Sequence, residues 1–188
     1  MFVRSLSLGV AAVALLSSGA MAADLIIPTT PQPIYESAGF SWDGLYAGVE
    51  AGGVFADDVA GVSNSRGLVG AVVGVNFTVA DPIVLGVELQ GDYLFENDNV
   101  GDAGLFLALG HVGAVVTDQV LVYAAGGFGA ITQNGDSSGV YALGAGVDFA
   151  VTDNVSIRGE ILGLGNFDDN NNDFFDAAKA TVGVFYHF

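Results

Sequence analysis

From Gly44 onward the chain alternates between apolar and small or polar positions. Leu45, Ala47, Val49, Ala51, Gly53 and Phe55 are interleaved with Tyr46, Gly48, Glu50 and Gly52. A strand over 44–55 therefore has one uncharged face and one face carrying an acid, because strand side chains point to opposite sides in turn. The period recurs over 67–79, where Val69 to Val79 alternate with Gly70, Val72, Gly74, Asn76 and Thr78. Over 83–95, Leu85, Val87, Leu89, Gly91, Tyr93 and Phe95 alternate with Gly86, Glu88, Gln90 and Asp92. Over 140–151, Tyr141, Leu143, Ala145, Val147 and Phe149 oppose Gly144, Gly146 and Asp148. Over 155–167, Ile157, Ile161 and Phe167 oppose Ser156, Arg158, Glu160 and Asn166. Over 177–188, Val182, Val184, Tyr186 and Phe188 oppose Lys179, Thr181 and His187.

Three similar stretches punctuate the pattern: VADPI (79–83), VTDQV (116–120) and VTDNV (151–155). Each sets a small residue and Asp between aliphatic flanks, which reads as a tight turn. Between them lie longer polar connections at 56–66, 96–102, 132–139 and 168–176. Seven connections join eight strands. The two strands flanking VTDQV are apolar on both faces. Facing Val116 and Val120 outward, like the valines and isoleucine of the other two turns, places His111 inside. Helices are a poor alternative, since glycine at this density is costly in a helix and Val, Phe and Tyr suit strands.

With these parities no charged side chain lies on the outer face of any strand. The outward aromatics gather near strand ends. Phe55, Tyr93, Phe95, Phe106, Phe128, Tyr141 and Phe167 lie toward the longer loops; Phe77, Phe149, Tyr186 and Phe188 lie toward the tight turns. Two aromatic girdles around an aliphatic band mark a transmembrane barrel. Lipid leaves backbone groups no solvent partner, so a spanning sheet must close on itself. A soluble sandwich or lipocalin-like barrel would present polar residues outward instead. The fold expected is all-β, an eight-stranded antiparallel transmembrane β-barrel.

The amino-terminal stretch has a different character. Residues 1–22 combine Arg4, an apolar run and an Ala20-Met21-Ala22 cleavage pattern, as in a signal peptide. The run is too short for a spanning helix. Residues 23–42 hold three of the four prolines and read as an extended periplasmic linker. The barrel then occupies 43–188. With 21 acids against 4 bases, the chain is unsuited to nucleic acid, which is bound by Lys and Arg. It has no cysteine, so there is no disulfide framework and no thiolate chemistry.

WDGLYAGVEAGG (42–53), LVYAAGG (121–127), GAGVDFAVTDNVSIRGE (144–160) and VGVFYHF (182–188) together resemble the small OmpA-like outer-membrane β-barrels, in particular their porin and surface-antigen branch. The resemblance implies a place in the bacterial outer membrane, with short turns and both termini on the periplasmic side. It implies contact with outer-membrane lipid and lipopolysaccharide. It also implies assembly by the outer-membrane insertion machinery, which reads the last strand; Val182, Val184, Tyr186 and Phe188 are then the carboxy-terminal signal. Members often carry inward arginines on strand four, where this chain has Leu109 and His111, which leaves the usual internal ion-pair network in question.

The inward ionisable residues are Glu50, Glu88, Asp92, Asp148 and Glu160 against Arg158 and Lys179. In a barrel of this size the interior is normally filled by side chains, so ion pairs plugging the lumen are expected. The unmatched acids and inward glycines leave a small cation-favouring diffusion pore as the alternative. One pair follows from arithmetic. A three-residue VTDNV loop sets Val151 opposite Val155, and therefore Asp148 opposite Arg158. In DDNNNDFFD (168–176), Asp169, Asn171 and Asp173 mimic the start of a calcium loop, but Phe174 stands where glycine is required and no twelfth-position Glu follows; a solvated acidic loop is expected, with no metal site. His111 and His187 fall at different depths with no Ser–His–acid set, so no catalytic residues, lipid-modifying or otherwise, and no cofactor are expected. The expected role is structural, in envelope integrity and surface antigenicity.

Overall fold

The structure, a computed structural model, describes residues 40–56, 64–95, 101–133, 135–167 and 174–188. Eight strands run in chain order: β1 (Gly44–Ala56), β2 (Asn64–Ala80), β3 (Ile83–Leu94), β4 (Ala103–Thr117), β5 (Val120–Gln133), β6 (Asp136–Ala150), β7 (Val155–Asn166) and β8 (Ala177–His187). Each pairs antiparallel with its sequence neighbour, and β1 pairs with β8 to close the barrel. The strands are 11 to 17 residues long, enough for a tilted strand to cross a bilayer, which takes about 9–11. The stretch read as a signal peptide (1–22), most of that read as a linker (23–42), and Asp169, Asn171 and Asp173 lie outside the described residues.

The parity read from the alternation is the one observed. On β3 exposed and buried residues alternate from Ile83 to Gln90. His111 and Leu121 point inward, while Val116 and Val122 point outward. The outer face is aliphatic at mid-height, with Val49, Val73, Val87, Leu89 and Ile161 exposed. The girdle aromatics Phe55, Phe106 and Phe128 at the loop end, and Phe77, Phe149 and Phe188 at the turn end, are exposed as well. Phe174 and Phe175, assigned by sequence to the acidic loop, extend the loop-end girdle. Phe174 contacts Tyr141 and Phe175, and Phe175 covers Gly163.

The three tight turns keep their flanking residues outward in two different ways. In β2–β3 the register steps from Thr78↔Val84 to Ala80↔Ile83, so Val79 is an extra, bulged residue. In β4–β5 the step is from Val115↔Leu121 to Thr117↔Val120, with Val116 bulged. A bulge supplies the odd residue that same-face flanks need. The β6–β7 turn has no bulge: Ala150 lies opposite Ser156, and Val151 N–H donates to Val155 O at 2.8 Å. The β5–β6 connection departs from the sequence reading. The 132–139 stretch reads as a longer polar loop, but the ladder continues to Gln133↔Asp136 and leaves two residues between the strands. The sequence there carries Asn-Gly, the pair best suited to a two-residue hairpin turn, and Gly135 has φ +93°.

The seam is regular. Tyr46 lies opposite His187 and Ala56 opposite Ala177, and Phe188 N–H donates to Leu45 O at 3.0 Å. Phe40 and Trp42, at the end of the stretch read as linker, pack with the inner residues of the barrel.

Candidate functional site

The lumen is filled by side chains. Toward the loop end, Val54, Leu68, Leu94, Leu105, Leu107, Val140, Leu162 and Leu164 form an apolar cluster with Ile131 and Ala177 against it. Toward the turn end, Trp42, Val84, Leu121 and Ala150 form a second cluster, flanked by Phe40 and Val115. All seven ionisable residues assigned inward by alternation are buried, each with at most 4% of its surface exposed. They adjoin both clusters: Lys179 lies opposite Val54 and Leu162, and Asp148 opposite Leu121.

Arg158 is the larger hub. Its Nε donates to Asp148 Oδ1 at 2.7 Å and its Nη2 to Asp148 Oδ2 at 2.9 Å, a bidentate pair between directly opposed residues. Its Nη1 donates to Glu88 Oε2 on β3. The guanidinium also lies 4.2 Å from the Phe185 ring centre and 5.2 Å from those of Tyr46 and Tyr123. Desolvated cation–ring contacts of this kind favour arginine over lysine.

Lys179 is the second hub. Its Nζ donates to Glu50 Oε1 at 2.7 Å, Gln90 Oε1 at 2.7 Å and Asp92 Oδ2 at 2.6 Å, which uses all three of its donors. Thr181 Oγ1 completes Glu50 at 3.0 Å.

Glu160 has no cationic partner among the described residues. It accepts instead from Tyr123 Oη at 2.6 Å and Gln90 Nε2 at 2.8 Å. Gln90 Nε2 donates also to Glu88 Oε1 at 2.7 Å, so one amide joins the two hubs. Tyr46 Oη donates to Glu88 Oε2. The internal network is therefore present although β4 supplies no arginine; β7 and β8 supply its cations.

Tyr46, Gln90, Tyr123, Thr181 and Phe185 were legible only as inward-facing positions, and their partners lie on strands distant in sequence. Two of the tyrosines need a glycine opposite. Tyr46 faces Gly74 and Tyr123 faces Gly146 in register. Each ring fills the space a Cβ at that glycine would take.

The histidines are apart, as their depths imply. His111 Nε2 is 2.9 Å from Asn76 Oδ1. His187 Nε2 is 3.0 Å from Ser156 Oγ, a contact that sequence inspection missed. Among the described residues His187 Nδ1 has no hydrogen-bond partner, and Ser156 is fully buried. Among the described residues no acid hydrogen bonds to the imidazole, so the buried hydroxyl stands without the third, orienting group that an activated nucleophile ordinarily has. Among the described residues, no three His, Asp or Glu side chains are arranged to hold a metal ion.

Comparison with known proteins agrees with this architecture. A family model described as outer membrane protein beta-barrel domain matches residues 8–188. The 31 kDa outer-membrane immunogenic protein of Brucella melitensis is 27% identical, over 93% of this chain and 96% of the relative. Its Brucella suis counterpart matches equally. Among solved structures, Ail, the attachment invasion locus protein of Yersinia pestis, superposes with a TM-score of 0.52 at 17% identity, covering 78% of this chain and 97% of Ail. Neisserial surface protein A gives 0.52 at 16% identity, covering 77% and 97%. At such identities the structural likeness speaks for the fold alone.

Proposed function

Since the chain belongs to the outer membrane protein beta-barrel domain family, we propose that it is a structural barrel of the bacterial outer membrane, closed to solutes, that supports envelope integrity and presents its loops as surface antigen. One observation carries the closed lumen. Arg158–Glu88 and Gln90–Glu160 both join β7 to β3, four strands away in either direction around an eight-stranded ring. Side chains that meet from opposite walls leave no continuous water column, and the apolar loop-end cluster adds a barrier to ions. The inward glycines that favoured a cation-selective pore are in part covered by tyrosine rings. Antigenicity is supported by the immunogenic relatives in Brucella. The buried, acid-free Ser156–His187 pair speaks against a lipid-modifying enzyme.

Conductance is the test. Refolded protein in planar bilayers should give no discrete current steps, with or without calcium. Cation-selective steps would overturn the closed reading in favour of the diffusion pore. For the surface role, antibodies against the loops should label intact cells, and loss of the protein should raise sensitivity to detergents.

Assembly belongs to the same proposal. Val182, Val184, Tyr186 and Phe188 line the outer face of β8, all exposed. That row is available to the insertion machinery before β8 joins β1.

A further inference from the structure

Trp42 is the only tryptophan in the chain, and it precedes the first strand yet is only 5% exposed. It shares one buried apolar cluster with Val84, Leu121 and Ala150, which belong to β3, β5 and β6. Trp42 leads into β1, and β5 is the wall diametrically opposite β1 in the closed ring. The cluster that joins them therefore reaches across the turn end of the barrel. Phe40 packs edge-on against Trp42 at 4.5 Å and against His187 at 4.7 Å. His187 in turn stacks on Tyr46 at 5.4 Å. Tyr46 itself donates to Glu88 and lies against Arg158, so the rings run unbroken from Phe40 to the ionic network.

The segment is not part of the wall. β1 begins at Gly44, and its seam with the carboxy-terminal strand runs from the Phe188–Leu45 bond and Tyr46↔His187 without any residue before Gly44. What holds 40–43 in place is ring packing and the bond from Thr78 N–H to the Asp43 carboxylate. Withdrawing Trp42 would break no pairing between strands. Nor does the indole Nε1 have a hydrogen-bond partner among the described residues to fix it.

We propose that Phe40–Trp42 is a detachable stopper that seals the turn end of the lumen and keeps the ionic network dry from that side. This rests on the reading of a closed lumen but is separable from it. The loop-end cluster blocks conduction by itself, so removing the stopper admits water and small reagents to the turn end without creating a channel.

The chain has no cysteine, so Ser156→Cys places one thiol beside His187, beneath the stopper. In refolded protein this thiol should react with a charged, membrane-impermeant methanethiosulfonate far more slowly than after unfolding. Adding Phe40→Ala and Trp42→Ala should speed the reaction about tenfold or more, as expected when a local closure is lost. Fast labelling of the single variant, or no acceleration on removing the rings, would overturn the stopper. Should the triple variant not fold, the unmodified protein decides: Trp42 fluorescence should resist quenching by iodide when folded and lose that resistance in denaturant, and equal quenching in both states overturns the proposal. Current steps from the unmodified barrel would instead count against the closed lumen, whichever way the thiol behaves.

Discussion

Arg158 on β7 and Glu88 on β3 hydrogen bond across the barrel although they are 70 residues apart in sequence. Arg158 holds Asp148 at the same time, so a single guanidinium pairs with two buried carboxylates. Such a group adds little net stability relative to an apolar core of equal volume, yet removing one partner is severe. Arg158→Met should lower unfolding free energy by about 3–5 kcal/mol, read by urea titration of refolded protein in lipid vesicles. Arg158→Met combined with Asp148→Asn and Glu88→Gln should recover part of that loss. Additive losses in the triple variant would mean that the three residues do not act as a unit.

Gly146 and Gly159 form a matched comparison. The Tyr123 ring occupies the Cβ position of Gly146, whereas nothing lies within 4 Å of the position at Gly159. Gly146→Ala should cost about 1–3 kcal/mol, because a buried ring must move. Gly159→Ala should change stability by less than about 0.5 kcal/mol. Equal effects in the same urea assay would contradict the placement of the Tyr123 ring.

The lipid-facing band sets a depth dependence. Val87 lies in the middle of β3 and is 58% exposed, and Val79 is 57% exposed beside the turn. Val87→Arg should destabilise the barrel by about 2–4 kcal/mol and Val79→Arg by at most about 1 kcal/mol. Two-state unfolding in vesicles of defined thickness would separate them, and the reverse order would displace the band.

Phe188 and His187 are adjacent but face opposite ways. Phe188 is 76% exposed and pairs with the Tyr186 ring at 5.1 Å, while His187 is buried. Deleting Phe188 should reduce the folded protein recovered from outer membranes several-fold more than His187→Gln does. Equal recovery of the two variants would remove Phe188 from the assembly signal.

The parts of this structure that are local in sequence were readable in advance. Alternation assigned the faces of six strands and likeness between the turns oriented β4 and β5, while the VTDNV turn placed Asp148 against Arg158, because register across one short turn is arithmetic. Contacts across the lumen were not readable. Nothing in the residues near Glu88 indicates that its cation lies on β7, since that partnership exists only once the sheet has closed. The reading of Trp42 as linker has a similar cause. Proline content marks a segment as extended, but not whether a ring at its end finds a cavity. At β5–β6, serines and an aspartate looked like loop, and Asn-Gly alone carried the hairpin signal.

The Asp148–Arg158 pair differs in reach from the other contacts of the same guanidinium. The two residues are ten apart in sequence and face each other within one hairpin, so β6 and β7 alone suffice to match acid with base. Glu88 and the Phe185, Tyr46 and Tyr123 rings come from four other strands, so they reach Arg158 only in the closed ring. One side chain thus joins a contact internal to a hairpin to contacts that need the whole wall.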